Sequence, residues 1–324
     1  MSTLSKEPLA ILAAARDGHR LAMARLMSLV EQGGADARLV GSLTFRGAGQ
    51  AHTVGITGAP GSGKSTLGSA LTSVVRSTGE RMAVLAVDPS SPFTGGAILG
   101  DRVRMQDHVL DDGVYIRSMA TRGHLGGLSL ATPQAVRVLD ALGWPWIFVE
   151  TVGVGQVEVE IAGAADTTIV VVNPGWGDSI QANKAGLMEI ADIFVINKSE
   201  RPGADDTRRD IQQMLELSSI GSWEPPIVMT VGTTGEGTVD LWEQIGNHRR
   251  HLTESGELVA RRAQRARTEF NEILHRSIEA RVVSLSEGAV SDSLHEQLEA
   301  REIDPYEAVE RLMDFLQESE ISQT

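Results

Sequence analysis

The chain of 324 residues contains no cysteine, which excludes disulfides and thiolate metal sites. Its eight histidines are read as forming no i, i+3 or i, i+4 pair of the kind a zinc site uses. Net positive charge is missing too. At a formal charge of -14 the molecule offers no basic face to a phosphate backbone or an anionic lipid surface, so neither nucleic acid nor membrane is an expected partner. No apolar run approaches membrane-spanning length, and Lys6, Glu7, Arg16 and Asp17 stand where a signal peptide would be apolar, so the chain reads as cytoplasmic. Lysine is scarce: Lys6, Lys64, Lys184 and Lys198 are the only four, and arginine supplies the other basic residues. A lysine here therefore marks a place where a compact ammonium is wanted instead of a planar fork, unless uneven codon use alone explains the scarcity.

Three of those lysines fall in segments singled out on other grounds. The first lies in Gly58-Ala59-Pro60-Gly61-Ser62-Gly63-Lys64-Ser65, a GxxxxGKS phosphate loop that follows the apolar run Thr53 to Thr57, with Thr66 just inside the next helix. A random chain of this composition would show the pattern with probability on the order of 0.006. Glycines let successive N–H groups turn toward the α- and β-phosphates, the Lys64 ammonium bridges toward the β/γ oxygens, and the Ser65 hydroxyl can ligate Mg²⁺. Apolar residues at Leu67, Ala70, Leu71 and Val74 predict the helix that follows.

Helical spacing from Pro8 to about Gly33 predicts one short opening helical region. Strand-like runs then alternate with helical stretches: Thr53 to Thr57, Met82 to Val87, Val114 to Ser118, Trp146 to Glu150, Thr167 to Val172, Ile193 to Asn197 and Ile227 to Val231. This predicts an α/β phosphate-loop fold with a mostly parallel sheet covered on both faces. Helices are expected over Leu258 to Val283, Ser291 to Leu298 and Pro305 to Leu316. The expected division is an N-terminal helical region (1–48), a nucleotide domain (49–250) and a C-terminal helical extension (251–324) that packs on the domain or forms a dimer arm.

In such sheets ligands sit at the carboxyl ends of strands. Asp88 ends one, followed by the Gly95-Gly96 pair, Asp101 and Arg104. Asp88 and Asp101 are candidate carboxylates for Mg²⁺, although Asp88 before Pro89 also reads as a turn initiator. Glu150 ends another strand and opens Glu150-Thr151-Val152-Gly153, an acid followed by a glycine amide able to meet a γ-phosphate. Asn197-Lys198-Ser199-Glu200 ends a third. Guanine offers N1–H and an exocyclic amine side by side, so a carboxylate two residues past the lysine can accept from both, while Asn197 can meet the O6/N7 edge. The usual pattern has Asp where this chain has Glu200, and the added methylene displaces the carboxylate.

Together these segments resemble the MeaB/ArgK family of phosphate-loop GTPases, chaperones of adenosylcobalamin-dependent acyl-CoA mutases such as methylmalonyl-CoA mutase. The matching text is Gly58 to Ser65, Val87 to Ser91, Thr94 to Met105, Arg117 to Met119 with Arg122 to Gly127, Glu150 to Gln156, Pro174 to Lys184 and Asn197-Lys198. The resemblance implies a GTP- and GDP-binding, Mg²⁺-dependent hydrolase, with Lys64 and Ser65 at phosphate and metal and with Asp88, Asp101 and Glu150 around the metal. It also implies Gln181 and Lys184 in a loop that communicates with the mutase, and helical termini that support a homodimer. Arg104 is a candidate finger toward the transferring phosphate. Departures are Glu200 for Asp, Val157 where a small polar residue usually follows Gln156, and Val231-Gly232 where a Ser-Ala pair often contacts the base. Two other readings stay open, a kinase linked to amino-acid transport and a nucleotide-binding scaffold without turnover; missing cysteine disfavours a nickel-insertion GTPase.

Overall fold

The structure is a computed structural model and describes residues 7–88, 106–108, 110–120, 131–151, 157–175, 189–217, 221–286 and 289–321. Helices α1 (Pro8–Arg16), α2 (Arg20–Gln32) and α3 (Gly34–Phe45) precede β1 (His52–Thr57) and α4 (Lys64–Ser77). Then come β2 (Met82–Asp88), β3 (Val114–Ala120), α5 (Ala131–Ala141), β4 (Trp146–Thr151), α6 (Val157–Ala164), β5 (Thr167–Val172), β6 (Ile193–Asn197), α7 (Ala204–Leu217) and β7 (Ile227–Thr230). The chain continues as α8 (Thr238–Ser255), α9 (Glu257–Ser286), α10 (Ala289–Glu299) and α11 (Pro305–Ile321). It divides into two compact units, Met1–Arg262 and Ala263–Thr324. The expected 250/251 boundary falls inside α8.

In the first unit the strands form one seven-stranded sheet, ordered β3-β2-β4-β1-β5-β6-β7, with every pairing parallel. Both faces are apolar because both phases of the strand period are. Val54, Ile56, Val84, Phe148, Ile169, Val171 and Val195 face Leu67, Leu71 and Val75 of α4 and Leu241 and Ile245 of α8. On the other face Leu85, Ile147 and Val149 pack with α5 and with Ile11, Leu26, Met27 and Val40 of the opening helices. Those three helices are therefore part of the domain core. The helical pattern expected to about Gly33 continues beyond it: Gly33 and Gly34, both at positive φ, end α2 and start α3. In α4 it is Val75, not Val74, that faces the sheet.

At the amino ends of β1, β5 and β6 lies a buried polar network. The Asp166 carboxylate accepts from Arg262 Nε and Nη2 at 3.1 and 2.8 Å and from the Thr53 amide at 3.0 Å. The Asp192 carboxylate accepts from Arg261 at 2.9 and 3.1 Å and from the Thr168 amide at 2.8 Å. Between them the Thr167 hydroxyl bridges His52 and His248, 2.8 Å from a ring nitrogen of each. His248 and His251 are an i, i+3 pair after all, which corrects the histidine reading. Their rings stack on each other, lie tilted against Trp223, and face Asp192 and Glu257, respectively. Among the described residues no group of three or more His, Cys, Asp or Glu gathers as a metal site.

Burial holds the His52 pKa down at about 3, from 6.5, with the nearby Asp166 charge opposing the drop. As pH falls below the ordinary histidine value, the unfolded chain takes up a proton that folded His52 refuses. Stability should therefore fall by about 1.4 kcal/mol per pH unit on this account alone, between roughly pH 6 and pH 4.5. Urea midpoints across that range should show a shallower pH slope for His52→Gln than for the native chain; equal slopes would rule the mechanism out.

The second unit has a small core of Leu294, Ile303 and Ala308, with Val290, Leu298 and Leu312 against it. Phe270, Ile273, Leu274 and Ile278 of α9 and Tyr306, Val309 and Met313 of α11 are exposed.

Candidate nucleotide site

The residues between β1 and α4 form a loop whose glycines have separate steric reasons. Gly58 has φ +140°, and a Cβ there would sit 2.1 Å from the Val171 carbonyl oxygen on neighbouring β5. A Cβ on Gly63, at φ +90°, would meet Asn197 Nδ2 at 2.4 Å. Gly61 has open space and needs only its positive φ of 76°.

Side-chain donors gather on the loop's carbonyls. Lys64 Nζ donates to Gly58 O at 2.6 Å and Ala59 O at 3.1 Å, Lys198 Nζ to Gly61 O at 2.5 Å, and Asn197 Nδ2 to Ser62 O at 2.8 Å. The α4 N-terminus follows directly. It has no side-chain cap and no acid in its first turn, which leaves the positive end of the helix dipole for an anion.

Period-2 alternation explains the acid. Trp146 and Phe148 face α4, and Glu150 continues the same phase to the strand's end, where it accepts a 2.6 Å bond from the Ser65 hydroxyl. Both are buried, Glu150 at 2% exposure. A hydroxyl and a carboxylate side by side are the hard oxygen donors that Mg²⁺ takes beside phosphate oxygens, so the donor set fits that ion. Asp88 is the last residue of β2, its side chain undescribed; Asp101, Arg104 and Gly153 lie outside the described residues, as do Gln181 and Lys184.

On the base side, Asn197 is held at both ends of its amide. Its Oδ1 accepts from the Gly232 amide at 3.0 Å and Thr230 Oγ1 at 3.2 Å, while its Nδ2 reaches the phosphate loop. The expected contact with the O6/N7 edge is thus left to the second Nδ2 hydrogen, and in this structure the side chain ties β6, β7 and the loop together. Val231 is buried, Thr66 is half-buried, and Glu200 is exposed.

Sequence reasoning missed Thr230 and Asn173, whose Nδ2 donates to Gly61 O at 3.4 Å. Asn173 directly follows an apolar strand, a signal that was available. Thr230 carried none, since its partner is set by the β6–β7 pairing.

A family profile described as methylmalonyl Co-A mutase-associated GTPase MeaB matches residues 23–287. A candidate GTPase of Pyrococcus horikoshii is 49% identical over 92% of this chain and 95% of its own length. The GTPase ArgK of Escherichia coli is 36% identical over 78% of each chain. A mouse protein named methylmalonic aciduria type A homolog, mitochondrial, is 37% identical over 68% of this chain and 52% of its own. Among solved structures, that of a LAO/AO transport system kinase aligns over 98% of this chain and 100% of its own, with a TM-score of 0.69 and 24% identity, a likeness of fold.

Proposed function

The chain belongs to the MeaB family of phosphate-loop GTPases, and from that premise we propose that it is a Mg²⁺-dependent GTP-binding and GTP-hydrolysing chaperone. It gates cofactor loading or protection of an adenosylcobalamin-dependent acyl-CoA mutase, most simply methylmalonyl-CoA mutase, in the cytoplasm. The observation that carries the reading is the meeting of Lys64, the Ser65–Glu150 pair and Asn197 at the carboxyl ends of β1, β4 and β6. In support, the family profile is described as mutase-associated, and a relative carries a methylmalonic aciduria name.

In this proposal residues 58–66 cradle the phosphates, and Lys64 neutralises charge growing on the β/γ oxygens. Ser65 and Glu150, with Asp88 and Asp101, would hold the magnesium ion, which supplies counter-charge to the triphosphate when bound. The Gly153 amide meets the γ-phosphate, Arg104 approaches it as a finger, and Asn197, Lys198, Glu200, Val231 and Gly232 surround guanine. Segments 88–104, 150–156 and 178–184 change order with the nucleotide, the last signalling to the mutase. The proposed division is an N-terminal helical region (1–48), a GTPase domain (49–250) and a C-terminal helical extension (251–324). The extension serves as a dimer arm, supported by exposed Phe270, Ile273, Leu274 and Ile278, whose i, i+3, i+4, i+8 spacing makes one apolar stripe on α9.

Phosphate release in single-turnover reactions, with and without the mutase, tests the proposal. Slow hydrolysis that the mutase accelerates is expected, from a protein that sediments as a dimer. Equal rates in both reactions would overturn the chaperone role, and binding without phosphate release would leave a scaffold.

A further inference from the structure

We infer that Glu200 makes the base site tolerant at purine C2, so that hypoxanthine nucleotides are held nearly as well as guanine nucleotides. This rests on the guanine-nucleotide reading above. The observation behind it is the stiffness of the turn that carries this carboxylate. Lys198 sits in the left-handed region at φ 60°. Its carbonyl accepts from the Arg201 amide at 3.0 Å, and the Ser199 amide donates to Thr230 O at 3.0 Å. Just before it, Asn197 is bonded to Ser62, Thr230 and Gly232. The turn that carries Glu200 is thus closed on itself and anchored to Thr230 and, through Asn197, to the phosphate loop, which leaves its backbone little room to retreat for a longer side chain.

Glutamate carries its carboxylate about 1.5 Å farther than aspartate, one carbon–carbon bond, while N–H···O distances tolerate a window of only about 0.5 Å. Accepting from N1–H and the C2 amine together requires both oxygens in the plane of the base. A glutamate folded back to fit keeps one bond, to the N1–H that guanine and hypoxanthine share. The amine, which guanine alone carries, loses its partner. Folding back meets no resistance: Glu200 is exposed, and its carboxylate makes no hydrogen bond or ion pair among the described residues. Adenine presents an acceptor at N1 toward the carboxylate and stays excluded.

Calorimetric titration of the full chain with Mg²⁺ and GDP, IDP or ADP tests this. The native chain should bind GDP and IDP within about threefold of each other and ADP at least tenfold more weakly than either, and Glu200→Asp should widen the GDP preference over IDP to about tenfold or more. Glu200→Gln should weaken GDP and IDP alike. A native GDP-to-IDP ratio equal to or above that of Glu200→Asp overturns the inference and leaves the GTPase reading standing. Failure of all three diphosphates to bind removes that reading, and the inference with it.

Discussion

Replacing Lys64 with alanine should slow single-turnover GTP hydrolysis by about 10²- to 10³-fold, the scale seen when one preorganised charge donor is lost from a catalytic site. The ammonium is buried at 7% exposure and is held by Gly58 O and Ala59 O, so its position is set before nucleotide arrives. Those bonds run to carbonyls of the loop that cradles the phosphates, so little reorganisation is needed when phosphate oxygens come within reach. One unit charge 4 Å from another is worth about 4 kcal/mol at an effective dielectric of 20, which converts to nearly three decades of rate if it acts on charge that grows in the transition state. A molecule of formal charge -14 has no surrounding positive field to replace it. Lys64→Arg should not rescue the rate, because a planar fork does not fit a buried position shaped for a compact ammonium. GDP affinity of the same variants, read by calorimetry, separates lost binding from lost chemistry. Hydrolysis by Lys64→Ala within tenfold of native would sink the assignment.

How much of this is legible in the sequence depends on the range of the interaction. All seven strands were readable because continuous β-branched runs such as Thr167-Thr168-Ile169-Val170-Val171-Val172 are what a sheet buried on both faces requires. The phosphate loop was readable because its glycines answer local backbone demands, and the structure adds which of them also meet steric ones: Gly58 against Val171, Gly63 against Asn197. Helix α3 was not readable. It buries Ala37, Val40, Gly41 and Thr44, a small-residue face on which one glycine admits the Gln134 side chain, and such a face has almost no apolar period. Thr230 was invisible for another reason. Its bond to Asn197 exists only because β6 and β7 pair in the register that sets Asn197 opposite Thr230. The polar network under the sheet was the most hidden feature. Asp166 and Arg262 are 96 positions apart, and each alone looks like an ordinary surface charge.

That pair supplies the second large effect. Asp166→Ala should lower folding stability by about 3 to 5 kcal/mol, the range for removing one partner of a buried ion pair. Asp166 is 1% exposed, and its carboxylate is the acceptor for three donors: Arg262 Nε, Arg262 Nη2 and the Thr53 amide. Truncation leaves the Thr53 N–H without its acceptor at the start of β1, and it strips the guanidinium of the two bonds that offset its desolvation. Arg262 also donates to the carbonyls of Gly49 and Ala51, whose amides are held from the other side by Asp140. The segment entering β1 is therefore clamped between a cation on α9 and an anion on α5, and losing Asp166 loosens the cation. Asp166→Asn should cost nearly as much, because its amide brings two more donors to a point where donors already converge. The double variant Asp166→Ala/Arg262→Ala should cost clearly less than the two single losses added together, since the charge stranded by the first change is gone. Urea unfolding of the four proteins measures both quantities. Strict additivity, or a loss below about 1 kcal/mol for Asp166→Ala, would mean that the pair is solvated in solution and does not hold the start of α9 to the sheet.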